Sequence, residues 1–160
     1  MNKAYLLTGG NMGNREETLV NAFTLIRQYC GNIRAMSSIY ETDAWGKNDQ
    51  PSFLNQALEI YTDLQPRQLL RQILKIEEQI GRVREEKYGP RIIDIDILFF
   101  NGEIHNCPML KLPHPEIQNR RFVLVPLAEI AADFIHPVLK KTIAELLAIC
   151  PDKLEVSRIK

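Results

Sequence analysis

The chain has 160 residues, in which twenty basic side chains balance twenty acidic ones. This length suits one buried core, so we expect a single domain over residues 1–160. The charge balance excludes a broad basic face for duplex nucleic acid or anionic lipid, and no apolar run reaches the roughly 20 residues that span a bilayer. Three widely spaced cysteines, Cys30, Cys107 and Cys150, form no CxxC pair. Because this usage favours reduced thiols, we expect a cytoplasmic protein.

Four strands and two helices are predicted over the first hundred residues. The strands are short apolar or alternating runs bounded by turn residues, namely Ala4–Thr8, Ile33–Tyr40, Phe53–Tyr61 and Ile92–Phe100. The first helix begins near Asn14, which with Glu17 resembles a capping box, and stops at Gly31. The second begins at Pro66 and stops at Gly81. The order β-α-β-β-α-β predicts an α/β (α+β) fold with a ferredoxin-like core and an antiparallel sheet.

Three further elements are predicted after this core. Helical patterns follow Phe122 and extend from Thr142 to Ile149, and a short final strand is centred on Leu154 to Val156. We expect these C-terminal helices and the terminal strand to pack against the ferredoxin-like core.

The strongest chemical signal lies in the fourth predicted strand. Asp94 and Asp96 are two residues apart, so on a strand they share one face, with α-carbons about 6.5 Å apart. Two carboxylates in this arrangement can hold divalent cations of the kind that assist displacement at phosphorus. Strand alternation alone produces the same pair on a solvated face, although aspartate is a poor strand former.

Arginines precede this strand. Arg82, Arg84 and Arg91 lie within ten residues of one another, and the planar guanidinium group matches phosphate oxygens. Carboxylates for a metal beside guanidinium groups for an anion are what phosphoryl transfer requires. The alternative is a salt-bridged surface loop in which Glu85 and Glu86 neutralise the arginines.

Two other segments carry weaker signals. Phe53 and Asn55 share one strand face and offer an aromatic plate and an amide, which suits a flat heterocycle. A core phenylalanine and a strand-end asparagine would give the same pattern. Gly9-Gly10-Asn11 joins a strand to a helix, and without a Walker A or G-x-G-x-x-G pattern it indicates a tight turn and a helix cap.

Taken together, these segments resemble the 6-hydroxymethyl-dihydropterin pyrophosphokinases of folate biosynthesis. The resemblance covers most of the chain from residue 4 to about residue 130, in the family's order. It rests on Gly9-x-Asn11, Tyr40-x-Thr42, Gly46, Asp49-Gln50-Pro51, Phe53-Leu54-Asn55, Glu77, Gly81-Arg82-x-Arg84, Gly89 to Leu98, Pro113-His114 and Asn119-Arg120-x-Phe122.

The resemblance implies transfer of pyrophosphate from ATP to the pterin hydroxymethyl group, with release of AMP. It implies two Mg²⁺ ions held by Asp94 and Asp96, with Arg82 and Arg91 at the transferring phosphates. The implied ATP pocket comprises Leu70, Glu77, Arg84, Ile97, Lys111, His114 and Arg120. The implied pterin pocket comprises Thr42, Trp45, Phe53, Asn55 and Phe122, with the ring stacked between the two phenylalanines. The expected partners are therefore ATP and the pterin, without nucleic acid or membrane, and we expect a monomer.

Some positions depart from the common family pattern. Gly10 stands where serine is usual, Tyr88 replaces a tryptophan of some members, and Asp43-Ala44-Trp45 replaces a more proline-rich stretch. A different class of protein is a ferredoxin-like ligand- or RNA-binding module without catalysis. An RNA-binding sheet would carry an aromatic signature such as R-G-F-G-F-V and a basic surface, and this chain has neither. Within enzymes, a nucleotidyltransferase also uses paired aspartates, but it releases pyrophosphate.

Overall fold

The computed structural model describes residues 1–43, 51–81 and 91–160. Its strands are β1 (Asn2–Gly10), β2 (Asn32–Met36), β3 (Tyr40–Thr42), β4 (Phe53–Thr62), β5 (Asp94–Phe100), β6 (His105–Cys107), β7 (Leu110–Leu112) and β8 (Val156–Arg158). Its α-helices are α1 (Arg15–Tyr29), α2 (Pro66–Ile80), α3 (Arg121–Ala131) and α4 (Ile143–Ala148), and a 3₁₀ turn covers Ile117–Asn119. No helix of these described ranges is long and apolar enough to cross a membrane.

The main sheet has the strand order β5-β1-β4-β3-β8, and β2 also pairs with β4. Every pairing in this sheet is antiparallel. β2 and β3 together act as one interrupted strand, because β2 pairs with the second half of β4 and β3 pairs with its first three residues. The ferredoxin-like core predicted from the order of elements is confirmed. β6 and β7 form a separate hairpin.

Alternating side chains of the sheet support two cores. On one face, Leu6 and Ile60 pack with the apolar sides of α1 and α2. On the other face, Leu7 and Ala57 pack with α3 and α4. Neighbouring residues of a strand point to opposite faces of the sheet, so each strand contributes side chains to both cores. The position of a polar residue along its strand therefore determines the face on which its side chain lies.

The helix boundaries follow the predicted signals. Asn14 caps α1, and its side chain accepts a hydrogen bond from the backbone N–H of Glu17 at 3.1 Å. Pro66 is the first residue of α2, and Gly81 ends that helix in the left-handed conformation with φ of 110°. Only glycine adopts this conformation at little cost, so the helix ends at Gly81.

The predicted strand Ile33–Tyr40 is divided in two by a buried serine. The Ser37 hydroxyl accepts the backbone N–H of Ala57 at 2.9 Å, and the Ser37 carbonyl accepts from the side-chain amide of Gln56. The Ser37 N–H still donates to the carbonyl of Ala57 at 2.9 Å, but the side-chain bonds take the place of the other ladder bonds at this residue. β2 therefore ends at Met36, and β3 starts at Tyr40.

The last strand also differs from the prediction, because it begins at Val156 rather than near Leu154. The carboxylate of Asp152 accepts the backbone N–H of Leu154 at 3.0 Å and that of Arg121, at the start of α3, at 2.9 Å. This carboxylate holds residue 154 next to the start of α3 and outside the strand. The hairpin of β6 and β7 had no strong sequence signal, since each of its strands has three residues.

Candidate active site

A row of paired residues that crosses four strands forms the centre of the candidate site. Asp94 pairs with Gly9, Gly9 pairs with Asn55, and Asn55 pairs with Tyr40. Paired residues of an antiparallel sheet point to the same face. In the next row Asp96 pairs with Leu7, which packs against α3 and α4. The two carboxylates and Asn55 therefore share the face that α3 and α4 cover.

Gly9 makes room for the side chain of Asn55. A Cβ atom at Gly9 would collide with the Asn55 amide nitrogen. In the absence of that atom, the Asn55 amide lies across β1 and donates to the carbonyl of Thr8 at 3.4 Å. The glycine that the sequence marked as part of a turn is thus required inside the strand by a close approach.

Two polar atoms beside this row lack a hydrogen-bond partner among the described residues. They are Oδ1 of Asn55 and Oγ1 of Thr42, and both residues are buried. Thr42 pairs with Phe53, so three of the five predicted pterin-binding residues, Thr42, Phe53 and Asn55, lie on the same face of neighbouring strands. Burying a polar atom without a partner is costly, so this arrangement is typical of a site that a polar ligand completes.

The carboxylate pair is a concentrated negative charge. Burial, together with the charges of Asp94 and Glu77, raises the pKa of Asp96 to about 8, although Arg120 and Arg91 act in the opposite direction. The guanidinium group of Arg91 bonds Asp94 at 3.0 Å. A carboxylate whose ionisation the protein itself disfavours, as at Asp96, gains most from an added cation.

The two carboxylates suit a Mg²⁺ ion that is also bound by the phosphates of a substrate. The described residues contain no cluster of three or more His, Cys, Asp or Glu side chains able to hold a metal. Mg²⁺ commonly takes only one or two carboxylates and completes its octahedron with substrate phosphates and water. Asp94 and Asp96 match that requirement, whereas a structural zinc site would need four protein ligands.

Glu77 contacts the strand between the two carboxylates. It is buried in α2, and its Oε2 atom accepts the backbone N–H of Ile95 at 2.7 Å. Since β5 is at the edge of the main sheet, this bond satisfies a backbone group that none of the described strands covers. The resemblance placed Glu77 in the nucleotide pocket, but the sequence carried no signal for this contact.

Three predicted residues approach the carboxylates from the segment before α3 and from its first turn. The backbone N–H of His114 donates to the carbonyl of Leu98 on β5 at 3.0 Å. Burial and the charge of Arg120 lower the pKa of His114, while Asp94 opposes this. The Arg120 guanidinium lies 5.8 Å from the centre of the Phe122 ring. His114, Arg120 and Phe122 are thus brought to the face that carries the aspartates.

The remaining predicted site residues are distributed differently. Leu70 and Ile97 belong to the core on the opposite face of the sheet, against α2. Lys111 is exposed on the β6–β7 hairpin, opposite Asn106. A nucleotide that used all of these residues would therefore wrap around the edge of β5. Arg82, Arg84 and Trp45 lie outside the described residues.

One face of this antiparallel ferredoxin-like sheet has paired carboxylates, adjacent arginines and buried polar atoms without a partner in the described part of the chain. This combination is typical of enzymes that transfer phosphoryl or nucleotidyl groups. Comparison with known proteins identifies the family. The profile of the 7,8-dihydro-6-hydroxymethylpterin-pyrophosphokinase (HPPK) family matches residues 5–132. The chain belongs to this family, as the sequence predicted.

Curated relatives extend this match along the chain. The chain is 48% identical over 130 residues to a 2-amino-4-hydroxy-6-hydroxymethyldihydropteridine pyrophosphokinase of Bacillus subtilis, covering 81% of this chain and 78% of the relative. It is 39% identical over 145 residues to the protein of that name from Aquifex aeolicus, covering 91% and 90%.

Solved structures agree on the fold. The crystal structure of wild-type Plasmodium falciparum HPPK-DHPS with SDX-DHP superposes with a TM-score of 0.73 at 22% identity. That match covers 92% of this chain and 43% of the solved chain, so this chain spans less than half of that protein's length.

Proposed function

We propose that this chain transfers the terminal pyrophosphoryl group of ATP to the hydroxymethyl oxygen of 6-hydroxymethyl-7,8-dihydropterin, releasing AMP, in tetrahydrofolate biosynthesis. The bond from the pterin oxygen to the β-phosphorus forms as the hydroxyl proton is released to solvent. The bond from the β-phosphorus to the α–β bridging oxygen breaks, and that oxygen leaves with AMP. Family membership supports this reaction. One structural observation carries it: the carboxylates of Asp94 and Asp96 share a sheet face with two buried oxygen atoms, on Thr42 and Asn55, that have no hydrogen-bond partner among the described residues.

The carboxylate pair is proposed as the ligand set for two Mg²⁺ ions that arrive with ATP. Such ions offset the charge of the phosphates and orient the reacting oxygens. The protein's own part is to hold Asp94 and Asp96 on one face and to place the Arg91 guanidinium beside Asp94. We assign Arg91, with Arg82, to the transferring phosphates.

The pterin pocket is proposed to combine stacking with hydrogen bonds. Thr42 and Asn55 present a hydroxyl and an amide oxygen, and both suit the polar edge of a pterin. Phe53 and Phe122 are half-buried and offer ring faces for stacking. Trp45 is assigned to the same pocket through the family resemblance.

The nucleotide pocket is proposed to surround the edge of β5. Its assigned residues are Leu70, Glu77, Arg84, Ile97, Lys111, His114 and Arg120. Burial and the nearby Arg120 charge lower the pKa of His114, so we expect a neutral imidazole at pH 7 that contacts the nucleotide without adding charge.

We further infer that residues 1–160 form a single domain that acts as a monomer in the cytoplasm. Both cores are built on one sheet, which supports a single domain. The three cysteines are free, as suits a reducing compartment. The light-scattering mass of the purified protein tests the monomer: a mass near 18.4 kDa agrees with it, and twice that mass contradicts it.

Product analysis tests the proposed reaction. The protein is incubated with ATP, Mg²⁺ and 6-hydroxymethyl-7,8-dihydropterin, and nucleotide products are separated. We expect AMP only when the pterin is present. ADP would indicate an ordinary kinase, free pyrophosphate would indicate a nucleotidyltransferase, and a folded protein without turnover would favour a binding module.

Two variants test whether that reaction requires the carboxylate pair. Asp96→Asn keeps the shape of the side chain but removes its charge, and we expect turnover to fall by about 10²–10³-fold, in the range seen when one charge-stabilising group is lost. Asp133→Asn makes the same change at an exposed position and should leave turnover unaltered. Equal turnover in both variants would refute the metal-binding role.

A further inference from the structure

We infer that Asn11 is a positioning residue that ties the backbone of Arg91 to the chain that enters β4, and so sets the phosphate-binding and pterin-binding sides of the site relative to each other. This inference rests on the proposed function. Asn11 follows β1 directly and is 1% exposed. The sequence assigned it only to a turn.

Asn11 is joined to the backbone of Arg91 by a reciprocal pair of hydrogen bonds. The backbone N–H of Asn11 donates to the carbonyl of Arg91 at 2.9 Å. The backbone N–H of Arg91 donates to the side-chain Oδ1 of Asn11 at 2.8 Å. Two bonds between the same two residues fix both the distance and the orientation of the Arg91 backbone. They lie just before β5, which starts at Asp94 rather than at Ile92 as the sequence predicted.

The other end of the Asn11 amide reaches the chain that enters β4. Its Nδ2 atom donates to the carbonyl of Pro51 at 3.0 Å. The carbonyl of the next residue, Ser52, accepts from Arg15 at 2.9 Å. Phe53 follows at once. A single buried amide thus bridges the residue that contacts Asp94 and the residues that precede the pterin-binding face.

Asparagine is the residue this bridge requires. One end of its amide accepts and the other donates, and both are used here. Gly10 allows the approach, because a Cβ atom there would collide with the carbonyl oxygen of Ile92. The glycine in place of the family's usual serine is consistent with this close backbone contact.

The expected consequence is a change in kcat. Arg91 bonds Asp94 through its guanidinium at 3.0 Å, so a shift of its backbone moves a charged group relative to the reacting phosphates. Misplacement by about 1 Å can cost about 100-fold in rate. Asn11 itself need not touch either substrate for this to occur.

The test compares Asn11→Ala with Asn14→Ala, a matched change three residues away. Asn14 is an exposed helix cap that accepts from Glu17 and contributes to the stability of α1. We expect Asn11→Ala to lower kcat by roughly 30- to 100-fold, with smaller changes in the KM of either substrate. Asn14→Ala should retain kcat within about threefold, since exposed caps act on stability.

A double-mutant cycle shows whether Asn11→Ala lowers kcat by misplacing Arg91 or by disturbing the fold in general. In an Arg91→Ala background the guanidinium is gone, so Asn11→Ala should lower kcat by less than about threefold. The same factor in both backgrounds would overturn the inference, and so would a kcat equal to that of Asn14→Ala. If Asn11→Ala does not fold, Asn11→Ser makes a smaller change and is measured against the same criteria.

Hydrogen exchange of the Arg91 backbone N–H, followed by NMR, tests the Asn11 contact without relying on enzyme activity. The inference and the proposed function can therefore fail separately. Asn11→Ala should speed exchange of the Arg91 N–H at least tenfold relative to Asn14→Ala, and unaltered exchange contradicts the bridge. A wild-type protein that forms no AMP would refute the proposed reaction, and the exchange result would then decide the Asn11 contact by itself.

Discussion

Gly9 has no Cβ atom, and this space determines the position of the Asn55 side chain. Asn55 reaches across β1 only because Gly9 has no side chain. The sequence identified Asn55 by its place beside Phe53 on a strand face. It could not identify the partner glycine, because the pairing of residue 9 with residue 55 depends on the register of β1 and β4.

Gly9→Ala tests this contact. The added Cβ should displace the Asn55 amide, destabilise the fold by about 1–3 kcal/mol and weaken pterin binding by about tenfold. Gly102→Ala is the control, because a Cβ there meets no atom of the described residues within 4 Å. Calorimetric titration with the pterin and urea unfolding measure the two effects. Pterin affinity equal to that of the Gly102 variant would show that Asn55 does not depend on this space.

The shared face of the two aspartates could be predicted from the sequence. Alternation along one strand needs no partner, so a shared face for Asp94 and Asp96 follows from their spacing alone. Glu77 illustrates the limit of this reasoning. Its contact with the N–H of Ile95 joins a helix to a sheet edge, and no local pattern records that distance.

At the scale of elements, one carboxylate of α3 is bound both to the connection between β2 and β3 and to the first residue of β3. Glu129 accepts the Tyr40 hydroxyl at 2.6 Å and the Ser38 backbone N–H at 3.0 Å. Burial opposes ionisation of Glu129, but these hydrogen bonds outweigh it and lower its pKa from the ordinary value of about 4.5. The ionised form is therefore the one that the fold stabilises.

Glu129→Gln should weaken this attachment in a pH-dependent way. Because the folded pKa is lowered, the contribution is present above the ordinary pKa and is lost as pH falls through the lowered value. We expect a cost of about 0.5–1 kcal/mol at pH 7, allowing for solvent screening of this exposed residue. Urea unfolding of both proteins at pH 7 and at pH 3 measures the difference, and a cost that does not shrink towards pH 3 would contradict it.

Element boundaries were predictable where the signal is local. Pro66 and Gly81 fix the ends of α2 through their own backbone preferences. The division between β2 and β3 was not predictable, because it depends on the bond from the N–H of Ala57 to the Ser37 hydroxyl. That bond joins residues that are distant in the sequence.

For the whole molecule, one sheet is shared by two cores, so we expect both to unfold together. Ile73, under one face, and Leu124, under the other, are fully buried. Replacing either with alanine should destabilise by about 2–5 kcal/mol and shift a single transition. Val20→Ala, at an exposed position, should cost less than about 0.5 kcal/mol. Separate transitions by far- and near-ultraviolet circular dichroism would contradict the shared core.

The central position of β4 has a consequence for how the protein folds. Pairing of β2 with β4 joins nearby parts of the chain, whereas pairing of β1 with β5 joins Gly9 to the distant Asp94. Contacts between remote residues close large loops and form slowly. We expect the carboxylate face to be completed after the β2–β4 pairing, so recovery of activity during refolding should lag behind recovery of secondary structure.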